Sequence, residues 1–297
     1  MNLQELINKS VRELTDVHHS KYRYIPMYDK QLPSAQTLKE IIEVIREIVF
    51  PGYFGNPSVT ENTVRYHAGV NTEKLYYLLF EQIYRALAFE SNDANTPTIA
   101  KEKTFFFIER LPDIKRLLST DVKAIYDNDP AAKSFGEIIF CYPAIKALLN
   151  HRVAHELYLS EIPLIPRIVT EMAHAETGID IHPGATIGEY FSIDHGTGIV
   201  IGQTAVIGNH VCLYQGVTLG AKKFVLDEAG NPMDLPRHPI LEDNVTVYSN
   251  ASILGRITIG KGTIIGGNVW LTYSVPPNSR IIQTKAVEDK FVDGLGI

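Results

Sequence analysis

The sequence predicts an α + β chain, with an N-terminal all-α domain followed by a left-handed parallel β-helix of hexapeptide repeats. Aliphatic residues recur in steps of six, and glycine often follows the aliphatic position. The three series are Ile181, Ile187, Ile193 and Ile199; Ile201, Ile207, Leu213 and Leu219; and Leu241, Val247, Ile253, Ile259, Ile265 and Leu271. A six-residue period fits neither an α-helix nor a simple strand, whereas three hexads make one triangular coil of a β-helix.

Residues 1–176 have helical spacing interrupted by turn-forming clusters, which predicts an all-α domain. Within it, Phe105-Phe106-Phe107 is predicted to face the core. Arg152 and His155 stand three apart on one predicted helical face, where a surface pair and a catalytic pair both remain open. The predicted helices are 2–18, 35–49, 58–91, 98–118, 119–128, 135–159 and 162–176.

The β-helix is predicted over residues 177–283, after Thr177-Gly178 ends the last helix. Its repeat is interrupted once, at 221–236, where a polar segment is expected to leave the surface as a loop. The far end of this loop delivers Arg237-His238-Pro239. Residues 284–297 are predicted to form a C-terminal tail.

Composition bounds the class of protein. The 297 residues, 45% of them hydrophobic and 21% charged, are enough for two domains, and the net charge of −6 makes nucleic acid an unexpected partner. No apolar stretch approaches the roughly 18–20 residues that span a bilayer, so no membrane association and a cytoplasmic location are expected. Cys141 and Cys212 are expected to be buried, reduced thiols, too few for a thiolate metal site.

Five short motifs stand out in the region of the repeat: Asp180-Ile181-His182-Pro183, Ile193-Asp194-His195-Gly196, Gly216-Val217-Thr218-Leu219-Gly220, Arg237-His238-Pro239 and Val275-Pro276-Pro277. Together they resemble serine O-acetyltransferases, members of the hexapeptide-repeat acyltransferase superfamily. The similarity extends from about residue 126 to 277, and Asp129-Pro130-Ala131 stands 51 residues before Asp180 in the family's order, with Tyr142-Pro143 between them. The resemblance implies transfer of an acetyl group from acetyl-CoA to the L-serine hydroxyl, as part of cysteine biosynthesis.

Such a transfer needs a base that removes the hydroxyl proton as the oxygen attacks the thioester. A neutral imidazole suits this role, and a carboxylate on its other nitrogen fixes the tautomer. The resemblance implies that His195 is the base and Asp180 its orienting partner. The two residues are fifteen apart, close to the eighteen of one coil, so neighbouring coils could bring them together.

A serine zwitterion presents an ammonium and a carboxylate besides its hydroxyl. By resemblance, Asp129 and Asp194 would meet the ammonium, Arg237 would take the carboxylate in a charge-assisted contact, and His238 would help to hold it. His182 is expected to make a structural hydrogen bond and His210 to occupy a solvent-facing corner.

Coenzyme A is expected to lie along the coils, where its amides can reach exposed backbone. The resemblance points to Gly220, Ala221, Ser249 and Gly267 as donor contacts. The chain departs from the family pattern here, because Tyr248-Ser249-Asn250 replaces Gly-Ala-Gly, and Gly220-Ala221 replaces Gly-Gly.

The resemblance also implies a homotrimer or a dimer of trimers, with active sites between adjacent subunits. The helical domain would join the trimers and supply Asp129. The C-terminal Ile297 resembles the end of family members whose tail enters the active site of O-acetylserine sulfhydrylase. No metal is expected.

Three alternatives stay open. A hexapeptide-repeat acetyltransferase for a sugar or antibiotic hydroxyl would keep the histidine base but has no need of Asp129 together with Arg237. A zinc lyase of the carbonic anhydrase type needs three histidines, two of them close in sequence, and His182, His195, His210 and His238 lack that close pair. A non-catalytic scaffold would leave the Asp-His spacing and the Arg-His-Pro loop unexplained.

Overall fold

The computed structural model describes residues 2–15, 31–55, 58–90, 93–223, 226–231 and 233–284. Internal contacts divide the chain into two compact units, Met1–Gln31 and Leu32–Ile297. The described helices from residue 35 onward and the whole described β-helix therefore belong to the second unit. The predicted division at 176/177, the loop at 221–236 and the tail from 284 stay predictions.

Seven helices precede the strands in the described part of the chain, which confirms the predicted order of a helical region followed by a β-helix. The predicted break at 118/119 is wrong, since a single helix runs from Thr96 to Asn128 and includes Pro112. The predicted helix 135–159 is divided at Tyr142, because Pro143 has no N–H to continue the first helix and begins the next. The helices are α1 (Leu3–Thr15), α2 (Ala35–Val49), α3 (Val64–Glu90), α4 (Thr96–Asn128), α5 (Phe135–Cys141), α6 (Pro143–Leu159) and α7 (Ile165–Thr177).

Two predictions about side-chain burial in the helices are wrong in part. Phe107 is buried, but Phe105 and Phe106 are each 48% exposed, because three consecutive helical residues point in three directions and only one can face a core. Cys212 is buried as predicted, whereas Cys141 is exposed at the last position of the short helix α5.

The β-helix is a prism with three parallel sheets, which confirms the predicted solenoid. Sheet 1 contains β1, β4, β7, β10 and β13; sheet 2 contains β2, β5, β8 and β11; sheet 3 contains β3, β6, β9, β12 and β14. The strands are β1 (Asp180–Ile181), β2 (Thr186–Ile187), β3 (Ser192–Asp194), β4 (Val200–Ile201), β5 (Val206–Ile207), β6 (Cys212–Tyr214), β7 (Thr218–Gly220), β8 (Ile240–Leu241), β9 (Thr246–Val247), β10 (Ser252–Leu254), β11 (Thr258–Ile259), β12 (Ile264–Ile265), β13 (Trp270–Leu271) and β14 (Arg280–Ile281).

The interior of the prism is the predicted aliphatic stack, with one register difference. Ile181, Ile201 and Leu219 are buried and lie one above another in sheet 1. Ile199 is also buried, but it does not continue the series from Ile181, whose partner is Ile201. The first coil is thus two residues longer than the eighteen from Ile201 to Leu219. The extra length lies in the corner 195–198, where three residues have positive φ.

Arg152 joins the helices to the first coil, which overturns its interpretation as a surface or catalytic residue. Its guanidinium is buried and donates from Nε and Nη2 to both carboxylate oxygens of buried Asp121, at 3.0 and 2.9 Å. It also donates to the carbonyl oxygens of Ile187 and Gly188, at 2.7 Å each. His155 does not join this pair, since its Nδ1 lies 2.8 Å from the carbonyl oxygen of Pro183.

Candidate active site

Two edges of the prism organise the predicted site residues. The first edge, where the chain passes from sheet 3 into sheet 1, carries the equivalent positions of four successive coils: His195, Gln215, Ser249 and Gly267. Backbone hydrogen bonds confirm the stacking, because Asn250 N donates to Gln215 O and Asn268 N to Ser249 O. The second edge, where sheet 1 passes into sheet 2, carries Pro183, Gln203, Ala221 and Gly255.

His195 protrudes from the wide corner of the first coil. Its φ of 56° is left-handed, a conformation uncommon for a residue with a side chain, and its side chain is 75% exposed. The ring Nε2 lies 3.9 Å from Asp194 Oδ1. The next residue, Gly196, packs so closely that an added Cβ would stand 2.6 Å from Ile179 Cδ1, so the corner requires glycine. This packing fixes the backbone that presents His195.

Asp129 and Asp194 line one small cleft beside the first edge, together with Tyr142. Asp129 follows the last residue of α4, and Asp194 is the last residue of β3. Asn128 holds these two ends together, since its Nδ2 donates to Ser192 Oγ at 2.8 Å. Two carboxylates from distant parts of the sequence thus face a common space, which suits a cationic group.

Tyr142 keeps Asp129 ionised. Its hydroxyl donates to Asp129 Oδ2 at 2.6 Å, and the N–H of Ala131 donates to Oδ1 at 2.8 Å. These hydrogen bonds lower the pKa of Asp129, with a smaller contribution from nearby His195. The same bond raises the pKa of Tyr142 to about 12, so the phenol stays protonated as a donor.

Asp180 lies in β1 of the first coil, half-buried. In the described part of the chain, no hydrogen bond or ion pair joins its carboxylate to His195, and the predicted pairing stays a prediction. One ligand atom each of Asp180, Glu171 and His174 lie within 4.8 Å of one another. This group offers a single histidine, whereas the zinc lyase alternative requires three.

Arg237 and His238 lie at the second edge, against the coil below. Arg237 donates to Gln203 Oε1 at 2.6 Å and to Asp234 Oδ1 at 3.2 Å. His238 is buried over Gly202, where an added Cβ would stand 2.0 Å from its Cδ2. Its Nδ1 lies 2.9 Å from Thr204 Oγ1. Burial, followed by the charge of Arg237, lowers the pKa of His238 to about 4, which keeps the ring neutral at physiological pH.

The predicted donor residues divide between the two edges. Ser249 and Gly267 stand two and three coils above His195 on the first edge, and an added Cβ at Gly267 would meet Ser249 O at 3.2 Å. Gly220 and Ala221 lie at the second edge, where β7 ends. Each of these roles stays a prediction.

Two histidines outside the predicted site behave as expected. His182 Nδ1 accepts the N–H of Gly184 at 3.0 Å, and burial lowers the pKa of His182 to about 4. His210 occupies an exposed corner with a φ of 56° and stacks on Tyr190.

One chain therefore brings together Asp129, Asp194 and His195, and it leaves Arg237 and His238 on another edge. Sequence reasoning gave Tyr142 no role, although its place before Pro143 in the family order was a signal. Tyr214 was also missed. It stands directly above Asp194 in sheet 3, and only the register of the coils identifies that position.

Comparison with known proteins agrees with this architecture. The family model described as bacterial transferase hexapeptide (six repeats) matches residues 238–272. The three-sided β-helix and this match place the chain in the class of hexapeptide-repeat transferases.

Similar proteins of known name identify the family within this class. A Synechococcus elongatus protein named serine acetyltransferase, plasmid, is 50% identical over 275 residues, which are 90% of this chain and 86% of that one. The chain belongs to the serine acetyltransferase family.

Solved structures of this family match through both halves of the chain. Serine acetyltransferase 1 of Entamoeba histolytica, in complex with L-cysteine, has a TM-score of 0.73 at 34% identity, covering 94% of this chain and 96% of that one. The Neisseria gonorrhoeae enzyme in complex with serine has a TM-score of 0.54 at 27% identity, covering 84% and 97%. No helix in the described ranges is long and apolar enough to cross a membrane.

Proposed function

We propose that this serine acetyltransferase moves the acetyl group of acetyl-CoA to the hydroxyl of L-serine by direct attack, with His195 as general base. The product would be O-acetyl-L-serine, which supplies cysteine biosynthesis. The observation that carries the proposal is the cleft that Asp129 and Asp194 both line, with His195 Nε2 3.9 Å from Asp194 Oδ1. Two carboxylates and a neighbouring base match an ammonium and a hydroxyl two carbons away.

In the proposed step, Nε2 or Nδ1 of His195 accepts the hydroxyl proton while the serine oxygen attacks the thioester carbon. The resulting tetrahedral intermediate collapses, the C–S bond breaks, and the imidazolium returns the proton to the sulfur of coenzyme A. A base of this kind contributes about 10²–10⁴-fold to the rate. We assign Asp180 to orienting the ring and stabilising its cationic form. No metal takes part in this proposal.

The serine carboxylate would be held by Arg237 with help from neutral His238. These residues and His195 lie on edges separated by the width of sheet 1, roughly 15 Å at about 3.3 Å per residue. One serine does not span that distance. We therefore propose a homotrimer, in which Arg237 and His238 of one chain meet His195 of its neighbour and sheet 1 faces the threefold axis. The helical region would then join two trimers into a hexamer.

The first test is thiol release from acetyl-CoA, with L-serine and with a panel of amino sugars and chloramphenicol. For His195→Ala we expect serine-dependent release to fall at least about a hundredfold. His210→Ala is a matched control, since His210 has the same φ of 56° at another exposed corner. If a sugar or chloramphenicol is acetylated while serine is inert, the enzyme belongs with the sugar or antibiotic acetyltransferases.

The neighbour-shared site has its own test. Arg237→Ala and His195→Ala chains are each expected to be inactive, and mixing them after subunit exchange should restore activity, because some interfaces then contain both native residues. If mixed trimers stay inactive, the two edges do not form one site.

A further inference from the structure

Resting on the proposed function, we propose that the stacked pair Tyr214–Tyr248 forms the outer wall of the acetyl-donor channel and packs against the pantetheine arm of acetyl-CoA. The two rings lie 4.8 Å apart at an interplanar angle of 20°. They belong to successive coils, and the same column of sheet 3 has Asp194 below them and Gly266 above them. Each residue of this column comes directly before a residue of the first edge, so the column and the edge lie side by side.

The position of the base fixes the direction of the arm. The thioester must reach the serine hydroxyl beside His195, which lies in the first coil. An extended donor that follows the first edge therefore runs toward Ser249 and Gly267 in the later coils. Tyr214 and Tyr248 lie alongside that path, and Tyr248 is 42% exposed.

The spacing of the donor's amides matches the spacing of the coils. Neighbouring coils are about 4.8 Å apart. Three bonds join the sulfur to the first amide nitrogen and four bonds join that nitrogen to the second, roughly 4 and 5 Å when extended. With the sulfur level with His195, the first amide lies level with Tyr214 and the second level with Tyr248.

The size of the side chains along this column of sheet 3 matches the shape of the pantetheine arm. The two slender amide linkers lie beside the tyrosines, whereas the branched dimethyl part of the arm comes level with Gly266 and Gly267, which have no side chains.

The test measures binding of coenzyme A by isothermal titration calorimetry for the unmodified chain, Tyr248→Gly, Tyr248→Phe and the control Tyr66→Gly. Tyr66 is 75% exposed and lies on α3, away from both edges of the prism. We expect Tyr248→Gly to weaken binding about tenfold, the effect of losing roughly 50 Å² of apolar contact. Tyr248→Phe keeps the ring and should bind within about twofold, as should the control, with circular dichroism confirming that each variant is folded.

Kinetics place the contact on the arm. With S-acetylpantetheine as donor, which lacks the nucleotide, Tyr248→Gly should raise KM by the same factor as with acetyl-CoA, and the KM for serine should be unchanged. Unchanged coenzyme A binding, or an effect on serine alone, overturns the proposal. If Tyr248→Gly weakens coenzyme A binding but the unmodified chain does not acetylate serine, the donor channel is supported and serine is refuted as the acceptor. If the unmodified chain does not bind coenzyme A, both fail.

Discussion

Replacing Arg152 by methionine tests the buried link between the helices and the first coil. The change removes the charged partner of Asp121, whose fully buried carboxylate keeps only the N–H of Phe191, and it removes two donors to the carbonyl oxygens of Ile187 and Gly188. Breaking a buried ion pair by removing one partner costs about 3–5 kcal/mol. That is a large part of the roughly 5–15 kcal/mol by which domains are stable.

The assay is urea unfolding followed by circular dichroism, at pH 7 and pH 5. Burial already raises the pKa of Asp121 against the opposing effect of Arg152, and losing the arginine raises the pKa further. A carboxyl whose pKa is raised by folding stabilises the folded state at low pH and loses that contribution as pH rises. The deficit of Arg152→Met relative to the unmodified chain should therefore shrink at pH 5.

The double variant Asp121→Leu with Arg152→Met is the matched control. It leaves no buried charge and should recover much of the lost stability, since a well-packed apolar replacement of a buried pair is often neutral. A deficit below about 1 kcal/mol for Arg152→Met, or one that grows on acidification, would refute this account of the link.

Four further predictions concern the site and its surroundings. Tyr142→Phe removes the hydroxyl that holds Asp129 Oδ2 and most strongly lowers the pKa of that carboxyl, so the KM for serine should increase about fivefold while kcat changes little; an unchanged KM contradicts this. Gly202→Ala should displace the His238 ring and cost about 1–3 kcal/mol of unfolding free energy, whereas Gly69→Ala, in open space on α3, should stabilise by up to about 1 kcal/mol. His182 and His238 have pKa values of about 4, below the ordinary value near 6.5, so the unfolded chain binds more protons and the unfolding free energy should fall as pH drops from 6.5 to 4; the decline should be shallower in His238→Gln. Deleting Ile297, which lies outside the described residues, should abolish retention on immobilised O-acetylserine sulfhydrylase, and equal retention would remove that partner.

The sequence predicted the β-helix well because its core depends on a local, repeating signal. Residues such as Ile187 and Val247 recur at fixed steps and are buried where the period requires. The six-residue period did not reveal that the corner 195–198 contains two extra residues. Ile199 happens to stand six residues after Ile193, so the spacing seemed unbroken there. Only the pairing of Ile181 with Ile201 shows the shift.

The site was less accessible to sequence reasoning, because its contacts join distant segments. The helical spacing left both a surface role and a catalytic role open for Arg152, and the structure buries it instead against Asp121, 31 positions earlier. Resemblance alone brought Asp129 to the site, and nothing local in the sequence indicates that Tyr142 holds it. In the trimer that we propose, Arg237 meets serine across the boundary with a neighbouring chain, so no spacing within one sequence indicates that contact.

The prism can lengthen only at its corners, because each face has a fixed number of residues between turns. Two of the described coils are longer than the regular eighteen residues. The first has two extra residues at 195–198, and the coil from Leu219 to Ile253 has 34 residues, sixteen more than a regular coil. Polar residues of the predicted site stand at both additions, whereas the aliphatic stack runs through every described coil. Insertions and deletions at these two corners should therefore change what the enzyme accepts without changing how it folds, so acceptor preference can diverge rapidly on a conserved scaffold.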